Sequence, residues 1–272
     1  MIVDCNNQFI RSYIVDPSLS SMGNPIGGMK GFLKILNKLC RDIEPDMLLL
    51  VWDGFGGSRK RRAINKNYKD GRKPPRPRLN RSARNLTPEE ETENKFWQQT
   101  KVIQMINNMP VMQFLEDEVE ADDVISYLKS HPQFSEYQKV IVSSDKDFIQ
   151  ILDENTVLYR PTQSEVLNTN RIIEKFNIHP TNFALARSLV GDKSDNIEGL
   201  KGVGLKTVAK NFPFLSENKS YYMSDLKSSL KEGSRMLQLI NDSQEKLDSN
   251  YKIMQLYSPL MSASLKSKIT ST

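Results

Sequence analysis

Met47-Leu48-Leu49-Leu50-Val51-Trp52-Asp53 is an unbroken apolar run that stops on a carboxylate. A run this short with no polar alternation reads as a strand buried on both faces, as in a parallel sheet. Two other runs end the same way: Met1-Ile2-Val3 before Asp4, and Lys139 to Ser144 before Asp145. Between them lie helical patterns, one from Gly31 to Arg41 with apolar Phe32, Leu33, Ile35, Leu36 and Leu39, another from Asp122 to Leu128. Alternating strands and helices predict an α/β fold with a doubly wound, mostly parallel sheet. Ligands of such sheets sit beyond the carboxyl ends of the strands, so Asp4, Asp53 and Asp145 are expected to converge on one crevice.

The 272 residues, 38% of them hydrophobic, suffice for one large core with a smaller accessory region. No apolar run approaches the roughly 18 residues that span a bilayer, and the start turns acidic at Asp4, unlike a signal peptide. The expectation is an intracellular protein without a membrane partner. Cys5 and Cys40 lack metal-site spacing and read as small buried hydrophobes. A net charge of +5 and a pI near 9.0 are compatible with a polyanionic partner.

That charge is unevenly placed. From Ser58 to Arg84, twelve lysines and arginines are answered only by Asp70, and Pro74, Pro75 and Pro77 preclude a continuous helix. The stretch reads as a mobile basic insertion, a gate over the crevice. It ends at a helix starting near Thr87, where Thr87-Pro88-Glu89-Glu90 supplies an N-cap, a proline and an acidic first turn. Beyond about residue 180 the chain is expected to be helical, interrupted by Gly199-Leu200-Lys201-Gly202-Val203-Gly204, and the Ser-rich end from Ser258 to be a flexible tail.

Six acids fall within the eight residues Glu116 to Asp123. An isolated acidic run often does no more than complement a helix dipole. Here it is joined by Asp145-Lys146-Asp147 after a strand and by Asp192-Lys193-Ser194-Asp195, which reads as a helix end with both aspartates on one face. Asp4, Asp53, Glu120, Asp122, Asp123, Asp145, Asp147, Asp192 and Asp195 together offer oxygen ligands with almost no histidine or cysteine nearby, a set that selects Mg²⁺ or Mn²⁺ rather than zinc. Two such ions about 4 Å apart activate a water and stabilise the leaving oxygen in phosphodiester hydrolysis. His131 and His179 each precede a proline and read as structural turn residues.

These segments resemble the 5′ nucleases, the family of flap endonucleases, the exonuclease domains of bacterial DNA polymerase I and phage replication nucleases. The resemblance spans roughly residues 1 to 212. It is carried by Ile2-Val3-Asp4 with Asn7 and Arg11, Val51-Trp52-Asp53-Gly54, Tyr68-Lys69-Asp70-Gly71-Arg72, Val119-Glu120-Ala121-Asp122-Asp123-Val124, Ser144-Asp145-Lys146-Asp147-Phe148, and Gly191-Asp192-Lys193-Ser194-Asp195-Asn196 followed by Gly202-Val203-Gly204-Leu205-Lys206-Thr207. Cys5 departs from the glycine common after the first aspartate, Trp52 from the usual phenylalanine, and the arch is richer in proline and arginine. None of these departures removes a ligand.

The resemblance implies a PIN-like nuclease core over residues 1–180, with the basic arch or gate at 58–95. It implies a helical region over 181–257 with a helix-three-turn-helix at about 190–212, and a tail over 258–272. It places Asp4, Asp53, Glu120 and Asp122 about a first metal with Asp145 close by, and Asp147, Asp192 and Asp195 about a second, with Asp123 the member not allotted. Lys69 and Arg72 match the family's catalytic basic pair, suited to the scissile phosphate. Arg61 is a secondary contact, Tyr68 a candidate stacking partner for an unpaired base, and Arg76, Arg78, Arg81 and Arg84 nonspecific phosphate attraction.

The helix-three-turn-helix brings Gly202, Gly204 and Thr207 against duplex phosphates with Lys201, Lys206 and Lys210, usually around a K⁺ ion. Lys206-Thr207 is not a nucleotide P-loop, because its glycine spacing is wrong. The implied enzyme is a metal-dependent 5′-3′ exonuclease and flap endonuclease, a phosphodiester hydrolase of replication and repair that acts on DNA with a 5′ flap, nick or RNA primer and on single-stranded 5′ ends. The compact chain resembles a monomeric stand-alone phage or bacterial nuclease, and among these the phage type called ribonuclease H, in the cytoplasm of a bacterial or infected cell. A sliding clamp or single-strand-binding protein belongs to the family's setting but has no readable signature here. Two alternatives stay open: a PIN-type RNA nuclease, which normally lacks the arch and the Gly202-Val203-Gly204 motif, and a catalytically silent protein that binds branched DNA.

Overall fold

The computed structural model describes residues 1–72, 86–257 and 259–271. In chain order the first half contains β1 (Ile2–Asp4), α1 (Cys5–Val15), α2 (Gly27–Ile43), β2 (Leu49–Asp53), α3 (Arg59–Ile64), α4 (Pro88–Ile106), β3 (Met112–Glu116), α5 (Ala121–Ser130) and β4 (Lys139–Val142). There follow β5 (Thr156–Arg160), β6 (Glu165–Leu167), α6 (Thr169–Phe176), α7 (Phe183–Val190), β7 (Gly191–Asp192), β8 (Ile197–Glu198), α8 (Leu205–Asn211), α9 (Met223–Ser229), α10 (Arg235–Asp242), α11 (Gln244–Met254) and α12 (Ala263–Ser271).

The sheet runs in the order β3-β2-β1-β4-β5-β6, parallel from β3 through β5, with β6 antiparallel at the edge. The three apolar runs become β1, β2 and β4, side by side at its centre. Ile2 lies opposite both Leu49 and Ile141, so Asp4 and Asp53 leave the sheet at one end. Strand order reverses between β1 and β4, which puts the topological switch point beside Asp4.

Alternate residues feed two cores. Ile2, Leu49, Val51, Ile141 and Leu158 point to the side covered by α5 and α7, while Val3, Leu50, Trp52 and Val142 point to that of α1, α2 and α4. This two-sided burial is why the runs show no polar alternation. Trp52 is fully buried and satisfies its indole N–H on Gln113 Oε1 at 3.0 Å. β3, with Gln113 and Glu116 in its five residues, gives no comparable apolar signal.

α4 begins where the sequence places it. Thr87 accepts from the Glu90 N–H at 3.2 Å and Glu90 accepts from the Thr87 N–H at 2.8 Å, a complete capping box. The helical region beyond residue 180 shares a core with the sheet, since Leu185, Leu200, Val208 and Leu247 belong to the same buried cluster as Ile2 and Leu49.

Three expectations change. The basic stretch opens as the helix α3 packed into the body of the protein, with Arg61 only 3% exposed; its prolines and Arg76, Arg78, Arg81 and Arg84 lie outside the described residues. Asp192 is the end of a two-residue strand and not of a helix. Gly191 adopts φ 77°, and a Cβ there would meet Ile197 O at 2.4 Å, so the chain turns back into the β7–β8 ladder. The C-terminal segment is a docked helix and not a flexible tail: in α12, Ile269 is 4% exposed with Leu265 one turn before it, Thr270 bonds Tyr127 at 2.8 Å, and Lys268 reaches Glu116 at 2.7 Å. Among the described residues, no helix is long and apolar enough to cross a membrane.

Candidate active site

The ends of β1 and β2 set the first group of acids. Asp4 caps α1, accepting from the Asn7 N–H at 3.1 Å and from Ser143 Oγ at 2.7 Å. Asp53 accepts from the Ala121 N–H at 2.8 Å and from Asn6 Nδ2 at 2.7 Å, which ties the start of α5 to β2. Gly54 is needed directly after it, because a Cβ there would fall 1.7 Å from Glu116 O. Asp145 follows β4, its N–H donating to Ser143 Oγ at 3.0 Å and its Oδ1 accepting from the Asp147 N–H at 2.9 Å.

These acids feel one another. Burial, then Asp53 and Asp145, push the Asp4 carboxyl up to about 7 despite its two hydrogen bonds. Burial, with Asp145 and Asp4 adding repulsion, pushes Asp122 well above the ordinary carboxylate value, and burial also raises Asp145. Among the described residues, Asp4, Asp53, Asp122 and Asp145 have no ion-pair partner. Glu120 differs: burial alone would raise it, but Arg61 at 2.9 Å, Lys69 at 2.7 Å and the Tyr68 hydroxyl at 3.1 Å hold it below the ordinary value.

The second group, Asp147, Asp192 and Asp195, is held by arginines. Arg187 of α7 places Nη2 3.1 Å from Asp147 Oδ1 and also on Asp192 Oδ2, while the N–H and Oγ of Ser194 both reach Asp192 Oδ1 at 2.6 Å. Arg72 pairs with Asp195 and donates Nε to Ser194 O at 3.0 Å. Burial and Asp145 raise Asp147 to about 7, whereas Arg187 and Ser194 overcome burial to lower Asp192. Asp145, Asp192, Arg187, Asn7 and Ser144 line one open crevice, so the two groups face the same space. The sequence reading passed over Arg187; its signal was a lone arginine in the apolar segment Phe183–Val190, four residues before Gly191-Asp192.

Lys69 and Arg72 lie on a turn fastened to the second group. The Lys69 N–H donates to Asp195 O at 2.9 Å, and Asn196 Nδ2 donates to Asn67 O at 3.0 Å. The Lys69 ammonium sits on Glu120, with Asp122 and Asp195 also favouring its charge.

Three other assignments are corrected by burial. Asp123 is 1% exposed; Arg61 Nη1 meets its Oδ2 at 2.6 Å and the Leu260 N–H its Oδ1 at 2.9 Å, so it is part of an internal ion pair facing away from the crevice. Arg61, which also donates Nε to Ile253 O at 3.0 Å, is enclosed and has no surface for DNA. Tyr68 is 3% exposed with its hydroxyl on Glu120, so its ring cannot stack on a base.

Lys201, Gly202, Lys206 and Lys210 are exposed along the loop and α8, and Gly204 and Thr207 are half-buried among them. Gly202 adopts φ 77°, and at Gly202 and Gly204 an added Cβ would meet nothing within 4 Å, which leaves the backbone open to an approaching surface. His131 and His179 both cap short 3-10 turns, accepting from Gln133 and Thr181 N–H groups, and have no part in the crevice. Cys5 is fully buried and Cys40 half-buried, both free.

Among the described residues, no three acidic, histidine or cysteine side chains stand as a ready-made cage for an ion. The donors are nevertheless hard oxygens, and among the described residues four of these carboxylates, Asp4, Asp122 and Asp145 buried or half-buried and Asp53 exposed, have no cation of their own, which fits a hard divalent ion.

The fold is shared with the PIN-like nucleases: a crystal structure of the bacteriophage T5 flap endonuclease, described as a pseudo-enzyme-product complex with DNA and metal ions, superposes with a TM-score of 0.78 at 18% identity, covering 100% of this chain and 96% of that one. Residues 1–177 match the family model for the 5′-3′ exonuclease, N-terminal resolvase-like domain. A 5′-3′ exonuclease of Aquifex aeolicus is 31% identical over 263 residues, 95% of this chain and 82% of its own. A DNA polymerase I of Caldicellulosiruptor bescii is 27% identical over 241 residues, 85% of this chain but only 26% of the polymerase. The chain belongs to the 5′-3′ exonuclease family.

Proposed function

We propose that the chain is a structure-specific 5′ nuclease that hydrolyses phosphodiester bonds at 5′ flaps, nicks and RNA-primed ends with two bound Mg²⁺ or Mn²⁺ ions. The observation that carries this reading is a set of four carboxylates without counter-cations among the described residues, Asp4, Asp53 and Asp145 at strand ends and Asp122 in the first turn of α5, beside a lysine, Lys69. Asp4, Asp53, Glu120, Asp122 and Asp145 would hold the first ion, and Asp147, Asp192 and Asp195 the second. Bound divalent ions would supply an activated water and neutralise charge on the phosphate. Lys69 and Arg72 would bind the scissile phosphate and stabilise the charge that develops on its oxygens. Ser143 and Asn7 orient Asp4, and Asn6 and the Ala121 N–H orient Asp53, so the acids need no rearrangement during reaction.

Residues 1–180 would carry the chemistry and 181–257 the grip on the duplex, through the open Gly202 and Gly204 backbone, Thr207, Lys201, Lys206 and Lys210, with K⁺ at the loop. The exposed basic residues from 58 onward, Arg61 excepted, would steer the single-stranded 5′ end. This equipment suits primer and flap removal during replication and repair. The test is to incubate end-labelled 5′-flap, nicked and RNA-primed duplexes with and without Mg²⁺. Cleavage near the 5′ junction only with Mg²⁺ is expected; intact substrates throughout would overturn the proposal.

A further inference from the structure

Arg187 is the one charged side chain in α7, whose other residues are Phe183, Ala184, Leu185, Ala186, Ser188, Leu189 and Val190. Its side chain is 13% exposed and points at the crevice. One nitrogen, Nη2, serves two carboxylates from different parts of the chain: Asp147 at the start of the 3-10 turn Asp147–Ile151, and Asp192 at the end of β7. Nη1 reaches only Gly191 O, at 3.5 Å, and Nε is buried without a partner among the described residues. The guanidinium is thus committed to the acid pair and not to packing or capping.

The charges of the two groups follow. Among the described residues, Asp4, Asp53, Asp122 and Asp145 carry no paired cation, while Lys69 and Arg61 both answer Glu120. Asp147, Asp192 and Asp195 are answered by two arginines, Arg187 and Arg72. A divalent ion placed against three carboxylates that already hold two guanidinium charges is attracted by about a third of their formal charge, and each guanidinium within about 4 Å opposes it by far more than one tenfold step in affinity before screening. In the first group, five carboxylates face two paired cations among the described residues, and both of these, Lys69 and Arg61, sit on Glu120.

Resting on the proposed metal-dependent function, we infer that Arg187 is a built-in counter-cation that makes the two divalent positions unequal, the Asp4 side filling first and the Asp147–Asp192 side only against the competition of Arg187. Arg187 also gives the second position a cation of its own in the absence of metal, which keeps Asp147 and Asp192 together across the crevice. A phosphate, itself a partner for a guanidinium, is a natural alternative seat for Arg187 when an ion takes its carboxylates.

The test is a Mn²⁺ titration of the full chain without DNA, followed by electron paramagnetic resonance of free Mn²⁺ and by calorimetry. Wild type should show one tight site and one weaker by at least about 10-fold, and Arg187→Gln should tighten the weak site by at least about 10-fold while shifting the tight site by less than about twofold. Arg187→Lys, which retains the charge, should keep the inequality. Two equal sites in the wild type, a reading that needs no variant to fold, would overturn the inference, as would an Arg187→Gln protein with native circular dichroism and an unchanged weak site. Failure of the underlying function looks different: the wild type binds no Mn²⁺, or Asp145→Asn leaves the tight site intact.

Discussion

The ammonium of Lys69 lies 2.7 Å from Oε1 of Glu120, and Lys69 holds it there from a backbone of φ 58° that a non-glycine residue adopts only at a cost. Backbone and side chain therefore make separable contributions. Lys69→Ala should lower single-turnover cleavage of a 5′ flap by about 10²–10³-fold, the usual effect of losing one preorganised charge at a reacting phosphate. Lys69→Gly should be equally inactive yet about 1 kcal/mol more stable than Lys69→Ala in urea unfolding, because it accepts the left-handed turn. Cleavage by either variant at near the wild-type rate would remove Lys69 from the chemistry.

Arg61 and Asp123 form the opposite kind of pair, enclosed and without access to substrate. With side chains 4% and 1% exposed, either one left alone is an uncompensated buried charge. Arg61→Ala should cost about 3–5 kcal/mol of unfolding free energy. Asp123→Asn should destabilise as well but leave Mn²⁺ binding at the wild-type level, whereas Asp122→Asn should weaken it. Loss of metal binding in a folded Asp123→Asn protein would return that residue to the ligand set.

The contrast between Asp122 and Asp123 also shows how far the sequence could be read. Strand-end aspartates are legible because an apolar run ends abruptly on a charge, and Asp4, Asp53 and Asp145 lie where those runs place them. Adjacent acids on a helix are not legible in the same way: each step turns about 100°, so Asp122 faces the other acids while Asp123 meets Arg61 of α3 and the backbone at Leu260. Composition marked Arg61 and Tyr68 as part of a basic surface, since charge in a sequence carries no record of burial. Arg187 was hidden for the reverse reason, one charge in an apolar helix. β3 was missed because its alternation is half-polar, and α12 because its serines and lysines mask Leu265 and Ile269, four residues apart on one face.

α12 should matter for stability. Ile269 is buried against the core, so Ile269→Ala is expected to cost about 2–4 kcal/mol, and removal of residues 262–272 at least as much. Thermal melting of the two variants beside the wild type checks this. Unchanged melting temperatures would mean that the docked helix contributes nothing.

The buried acids also give the metal-free protein a distinctive response to pH. Asp4 and Asp147 are raised from an ordinary value of 3.8 to about 7, by burial first and then by neighbouring carboxylates, with Asp122 and Asp145 raised in the same direction. For an acid raised in the folded state, both states are protonated below about pH 4; above that the unfolded chain ionises first, so stability falls as pH rises towards about 7 and is level beyond. Glu120 and Asp192, held down by cations, act oppositely, but their stabilisation is lost only as pH falls below about 4.5, outside this window. In a chelator the protein should therefore melt several degrees higher at about pH 5 than at about pH 8. Mg²⁺ should reverse the order by stabilising more at pH 8, where the carboxylates are ready to bind it. Asp4→Asn should raise the metal-free melting temperature at pH 8 and forfeit most of the gain from Mg²⁺. A metal-free protein that instead gains stability between about pH 5 and pH 8 would contradict the mutual repulsion assigned to these four acids.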